Sequence, residues 1–181
     1  MRHKIHEVLA RSDLVFDRTE IERSIDAMAG KIRKDFHNQF PVLLTLMHGG
    51  MFFAAKLALE LGIDAEFDYL HATRYRGETS GSGLAWLHRP ATILQGRQVL
   101  LVDDILDEGH TLKAVRDWCE DQGAVRVKIA VMAIKQHDRC VAGLEADYSG
   151  LIVPDRYVFG YGMDINEHGR NLPAIYALKQ P

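Results

Sequence analysis

The chemistry of this chain is concentrated in one acidic stretch. Asp103 and Asp104 stand together after the apolar run Val99-Leu100-Leu101-Val102, and the loop Asp107-Glu108-Gly109-His110-Thr111 follows. An unbroken apolar run, bounded by Gly96 and by acids, predicts a strand buried on both faces, as in a parallel sheet. Acids at the end of such a strand lie where open α/β sheets bind ligands. Past the loop, Leu112, Val115, Trp118 and Cys119 recur at helical spacing, so the loop runs into a helix N-terminus. Free backbone N–H groups and the helix dipole make that terminus an anion site, with the Thr111 hydroxyl as a further donor. Acids beside a phosphate cradle repel a bare phosphate. The conflict disappears for a ligand that carries a phosphate together with a metal-bound polyol, and phosphoribosyl pyrophosphate is such a ligand.

Residues 99–111 resemble the phosphoribosyl-pyrophosphate signature of type I phosphoribosyltransferases. The resemblance implies that Glu108, Gly109, His110 and Thr111 take the 5-phosphate. Asp103 and Asp104 would hold the ribose hydroxyls, with water-mediated help to Mg²⁺, and Asp107 would be the general base at purine N7. Two more segments carry the likeness. LMHGGMFFAAKL, residues 46–57, resembles the pyrophosphate-binding loop of hypoxanthine-guanine phosphoribosyltransferases, which assigns His48 and Gly49 to pyrophosphate. PDRYVFGYGMDINEHGRNL, residues 154–172, resembles the base-binding segment of the same family. There Tyr157 matches the aromatic that stacks on the purine, and Val158 the residue whose backbone meets the base edge. Asp164 matches an acid that helps hold Mg²⁺, and Arg170 an arginine that reaches pyrophosphate. Lys135, closing an apolar strand, matches the lysine that donates to the oxygen at purine C6 and so selects 6-oxopurines.

Residue type alone leaves plainer readings open. A Gly-Gly pair serves as an ordinary turn, Tyr157 as a core aromatic, Asp164 as a turn residue and Lys135 as a lysine snorkelling to solvent. The joint order of the motifs ranks the functional reading first. The likeness spans about residues 8 to 172 and departs from the family at His48, Glu108 and His110. Relatives usually carry lysine or arginine at the first position, and threonine then lysine or arginine at the other two. Histidine is mostly neutral at pH 7, so the departures imply a phosphate grip that varies with pH.

The elements that must position these residues follow from periodicity. Thr19 with Glu22 reads as a capping box, opening a helix whose buried face is Ile21, Ile25, Met28, Ile32 and Phe36. A short helix within residues 1–12 and a strand at 13–16 precede it. Strands are predicted at 42–46, 64–71, 83–88, 125–134, 151–153 and 157–159, with a helix from about 53 to Gly62. The polar segment RYRGETSGSG, residues 74–83, is either a mobile active-site loop or an idle hairpin connection. Alternating strands and helices predict an α/β class with a mainly parallel central sheet flanked by helices. The resemblance adds the type I phosphoribosyltransferase fold, with a small hood formed by the terminal segments.

Composition bounds the rest. With 181 residues, 47% of them hydrophobic, the chain suits a single domain over 1–181. A net charge of −3 offers no basic face for nucleic acid and no membrane-binding surface. Two cysteines make no disulfide framework, and the absence of a signal-peptide pattern predicts a cytoplasmic protein. The family likeness implies purine salvage: hypoxanthine or guanine with phosphoribosyl pyrophosphate yields IMP or GMP and pyrophosphate, with Mg²⁺ as cofactor. It also implies a homodimer or homotetramer. Two other classes fit fewer residues. A nucleotide-sensing regulator on the same fold needs a basic DNA-binding face. A receiver-type signalling domain carries its acid pair on the first strand, whereas Asp103 and Asp104 lie past mid-chain.

Overall fold

The apolar run at 99–102 forms the middle of the molecule because both of its faces are covered. It belongs to β5 (Gln98–Leu106), and Val99, Leu100, Leu101 and Val102 have no exposed surface. The computed structural model describes residues 5–74 and 84–180. In it, β5 pairs in parallel with β2 (Val42–Leu46) on one side and with β6 (Arg126–Lys135) on the other. Beyond these lie β3 (Glu66–Arg74) and β7 (Tyr148–Val153), both parallel to their neighbours, and β4 (Leu84–His88), antiparallel on the edge. The sheet order is β4-β3-β2-β5-β6-β7.

Side chains alternate across a strand, so each inner strand supplies two cores. Leu43, Leu100, Val102, Ala130 and Met132 pack with α2 (Arg18–Asp35) and α3 (Met51–Leu61). Val42, Leu44, Val99, Leu101 and Val131 pack with Leu112, Val115 and Cys119 of α4 (His110–Asp121). Burial pushes the Cys119 thiol up to about 12, consistent with a core residue rather than a nucleophile.

A second, three-stranded antiparallel sheet joins the two ends of the chain. Its order is β1 (Ser12–Phe16), β9 (Ile175–Leu178), β8 (Val158–Phe159), and α1 (Ile5–Ala10) leads into it. This is the hood expected from the terminal segments. Periodicity had no purchase on β9, which is four residues long and exists through pairing with β1 and β8.

Two local expectations are corrected. The capping box of α2 is Asp17 with Glu20, not Thr19 with Glu22. Asp17 Oδ1 accepts from the Glu20 N–H and Glu20 Oε2 accepts from the Asp17 N–H, both at 2.9 Å. Glu22 instead pairs with Arg18 along the helix at 2.7 Å. The second correction concerns Asp103 and Asp104, which lie inside β5 rather than after it. Of the segment 74–83, Arg74 ends β3 and the remainder lies outside the described residues.

The site owes its place to a step in the sheet. β2 makes its last pair with β5 at Thr45 and Val102, whereas β5 continues against β6 as far as Leu106 and Ile134. Residues 103–106 of β5 therefore run past the end of β2, and the turn after β2 crosses that step.

Candidate active site

The turn reaches the step only because it is made of glycine. A Cβ on Gly49 would overlap the Asp104 carboxylate, and one on Gly50 would meet the Leu46 and Val102 carbonyls at 2.8 Å. From the other side Gly162, at φ +107°, backs onto the Gly49 carbonyl. Three segments distant in sequence thus stack at the carboxyl end of β5, as α/β sheets commonly arrange a ligand site.

Asp103 and Asp104 carry an electrostatic load there. The Asp104 N–H donates to Asp103 Oδ1 at 2.9 Å, and Asp104 is 9% exposed. Burial, and then the neighbouring Asp104 charge, push the Asp103 carboxyl well above the usual carboxylate range. Burial likewise raises Asp104, while Arg170 pulls both the other way. A carboxyl raised in the folded state binds more protons there than in the unfolded chain. Stability therefore falls as pH rises from the unfolded value of about 3.9 through the raised folded value. Asp103→Asn is expected to flatten that fall and to raise the melting temperature at pH 8, by about 2–4 °C for each kcal/mol relieved. Thermal unfolding of both proteins from pH 4 to 8 reads this directly, and an unchanged or lower melting temperature at pH 8 would refute it.

Beside the acid pair lies a cavity of about 240 Å³ lined by Asp104, Asp107, Lys135, Tyr157, Val158 and Asp164, together with Ile105 and Met163. Residues of the 99–111 and 154–172 motifs meet Lys135 in it. Tyr157 is half exposed and donates through its hydroxyl to the Asp164 carbonyl at 3.2 Å, while Val158 is buried in β8.

At one wall Asp107 holds two donors at once. Lys135 Nζ reaches Oδ2 at 2.5 Å and His137 Nε2 reaches Oδ1 at 2.6 Å. Burial alone would raise the Asp107 carboxyl, but the Lys135 and His137 hydrogen bonds outweigh it and hold the group below the ordinary value. Lys135 needs such a partner, since its side chain is only 13% exposed and an unpaired buried ammonium is costly. It does not snorkel to solvent. Sequence reasoning missed His137, although it stands two residues after Lys135 at the end of the same strand.

The loop that leads into α4 is also built as a cradle. Gly109, at φ +77°, is the N-cap of α4 and makes no side-chain cap bond, and the first turn holds no acid. A Cβ there would crowd Leu144 and Leu106 at 2.5 and 2.9 Å. The Glu108 carbonyl accepts from the Val141 N–H at 2.9 Å, which fixes the loop. Thr111 is half-buried at the helix start, and His110 Nε2 lies 3.7 Å from Glu108 Oε2. His48 packs edge-on against His71, with ring centroids 4.3 Å apart. Burial, followed by the His48 and Arg170 charges, lowers the His71 imidazole. His71, on β3, is a second neighbour of the site that the motifs did not flag.

Asp164 and Arg170 are each other's partners. Arg170 Nη2 meets Asp164 Oδ1 at 2.8 Å, and Asp164 Oδ2 accepts the Glu167 N–H at 2.8 Å. Arg170 Nη1 donates to the Gly162 carbonyl at 2.8 Å, tying this segment to the glycine stack. Mg²⁺ favours oxygen donors and keeps most of its sphere for substrate and water. A rim carboxylate such as Asp164 suits that ion, and among the described residues no cluster of three or more His, Cys, Asp or Glu forms a closed cage.

The family model described as phosphoribosyl transferase domain matches residues 13–167. The hypoxanthine-guanine phosphoribosyltransferase of Streptococcus pneumoniae is 34% identical over 99% of this chain and 97% of its own length. That of Lactococcus lactis is 34% identical over 92% of this chain and 90% of its own. A crystal structure of a hypoxanthine-guanine phosphoribosyltransferase from Bacillus anthracis superposes with a TM-score of 0.84 at 27% identity, covering 92% of this chain and 98% of that one. A hypoxanthine phosphoribosyltransferase from Staphylococcus aureus has the same fold, with a TM-score of 0.88 at 24% identity over 99% of this chain and 97% of that one. A family match over most of the chain, with full-length relatives at 34% identity, shows that this chain belongs to the phosphoribosyl transferase family.

Proposed function

We propose that this enzyme transfers the phosphoribosyl group of phosphoribosyl pyrophosphate to hypoxanthine or guanine, releasing pyrophosphate and IMP or GMP. The observation that carries the reading is the cavity in which the Asp107–Lys135 pair, Tyr157 and Asp104 of β5 converge, beside the start of α4. Tyr157 stacks on the purine, the Val158 backbone meets its edge, and Lys135 donates to the oxygen at C6. The amides of Glu108, Gly109, His110 and Thr111 hold the 5-phosphate, and Asp103 and Asp104 hold the ribose hydroxyls.

Breaking the C1′–O bond builds oxocarbenium character on the ribose, so catalysis is positional and electrostatic. Asp164 would help hold Mg²⁺, which would supply neutralising charge for the leaving pyrophosphate. His48, the Gly49 amide and Arg170 receive the leaving group, and Asp107 takes the N7 proton. The protein works in the cytoplasm as a homodimer or homotetramer. Pyrophosphate release measured with hypoxanthine, guanine and xanthine in turn tests the reading, and no release with any of them would overturn it.

The histidines at 48 and 110 add a pH dependence. A histidine beside a bound phosphate gains an opposite charge that favours its protonated form. Affinity for phosphoribosyl pyrophosphate is therefore expected to weaken as pH rises. In a His48→Lys, His110→Lys double variant the KM should be flatter from pH 6 to 9, since lysine stays charged. Parallel KM curves for the two proteins would mean that backbone N–H groups do all the holding.

A further inference from the structure

The proposed reaction uses Asp107 and Lys135 and leaves His137 without a task. Its side chain is 3% exposed and does not line the cavity, yet its Nε2 lies 2.6 Å from the carboxylate of the base. The other ring nitrogen settles which partner donates. His137 Nδ1 lies 3.0 Å from the Arg139 backbone nitrogen, whose N–H points to it, so Nδ1 is the acceptor. The ring proton therefore sits on Nε2 and is donated to Asp107 Oδ1. Arg139 is itself held, by two bonds of 2.8 and 2.6 Å to Asp155, so the imidazole is braced from behind.

Resting on the proposed reaction, we infer that His137 is the positioning residue of the general base: it keeps hold of Asp107 Oδ1 while Lys135 leaves Oδ2 for the purine. The two donors differ in the way this exchange requires. Lys135 has a long flexible stem and its ammonium faces the cavity, whereas His137 is a rigid ring fixed at both nitrogens. While both donors hold it, Asp107 is a weaker base, because each hydrogen bond stabilises its charged form. When Lys135 turns to the C6 oxygen, Oδ2 becomes free and the carboxylate loses a donor that stabilises its charged form, so its basicity rises as the proton arrives.

The proton balance is closed. N9 bonds to C1′, the C1′–O bond breaks with its electron pair leaving on pyrophosphate, and the N7 proton passes to Asp107 Oδ2. His137 neither gains nor loses a proton. The other charged or titratable groups around this carboxylate are Glu108 on its own loop and Arg139 with Asp155 behind the imidazole. Asp104, Tyr157 and Asp164 face it across the cavity.

The test is the pH profile of kcat for the unaltered enzyme, His137→Ala and His137→Gln, with hypoxanthine as acceptor. In His137→Ala, kcat should fall by about 10- to 100-fold, the scale of a misplaced catalytic group. The KM for phosphoribosyl pyrophosphate should be unchanged, and the acid limb of kcat should move to higher pH because the carboxylate has lost a donor. His137→Gln, whose amide N–H can donate in place of the ring, should recover most of kcat and return the limb. A His137→Ala enzyme with the original kcat and acid limb would overturn the inference.

Long-range ¹H–¹⁵N spectra of the ligand-free protein give a readout that needs no activity. Nε2 of His137 should carry the proton and Nδ1 none, with the Nε2 resonance shifted in Asp107→Asn. A ring protonated at Nδ1, or one indifferent to Asp107→Asn, would likewise overturn it. Failure of the proposed reaction shows separately, as no pyrophosphate release from the unaltered chain with any purine.

Discussion

Asp107→Asn is expected to lower turnover by about two to four powers of ten, the usual worth of a positioned acid or base. The substitution keeps the size of the side chain and removes its ability to accept a proton. It also sets up a conflict, because both oxygens of Asp107 accept from donors, Lys135 Nζ and His137 Nε2. An amide nitrogen placed at either position would face a donor with a donor. KM for both substrates should change little, since the ribose and phosphate contacts are proposed for Asp103, Asp104 and the loop at 108–111. A loss confined to kcat identifies an interaction made in the transition state rather than in binding. Steady-state kinetics at saturating substrate, on protein whose folding is confirmed by circular dichroism, reads the effect. Turnover like that of the unaltered enzyme would remove Asp107 from the mechanism.

The second large effect concerns the choice of base. Lys135 is a donor with no acceptor capacity, and the 6-oxopurines present an acceptor at C6 where adenine presents an amino donor. In a site lined by fixed polar groups, such a mismatch leaves a buried ammonium facing a donor. The preference in kcat/KM for hypoxanthine over adenine is expected to be on the order of 10⁴-fold. The pairing with Asp107 deepens the penalty, because a purine that cannot accept from Lys135 gives it no reason to leave the carboxylate. Adenine should therefore fail both to bind well and to free its own base. Lys135→Met should narrow the preference while lowering turnover with hypoxanthine. Equal rates with adenine and hypoxanthine in the unaltered enzyme would sink the role of Lys135.

The fold was legible in the sequence wherever local rules are strict. Val99 to Val102 read as a doubly covered strand because every residue is apolar, and each proved fully buried. The helix after Gly109, the buried face Ile21, Ile25, Met28 and Ile32, and the strand closing on Lys135 followed from periodicities imposed by the backbone. The order of the three motifs pointed to the family, since each motif places its functional atoms by local geometry.

What tertiary structure alone decided are the partnerships across long separations. β9 is four residues with no pattern of its own and becomes a strand by pairing with β1 and β8. The capping box fell to Asp17 and Glu20 because both reciprocal bonds close there, a matter of backbone angles that two candidate spacings cannot distinguish. The overlap that makes Gly49 and Gly162 obligatory arises between segments distant in sequence, with Asp104 55 positions and Gly162 113 positions from Gly49. So does the tie between Lys135, His137 and Asp107, which are 28 and 30 positions apart. Periodicity reports which face of an element is buried, because the backbone repeats it every few residues. It carries nothing about which side chain from another element will meet that face, because only the packing of the whole chain sets those distances.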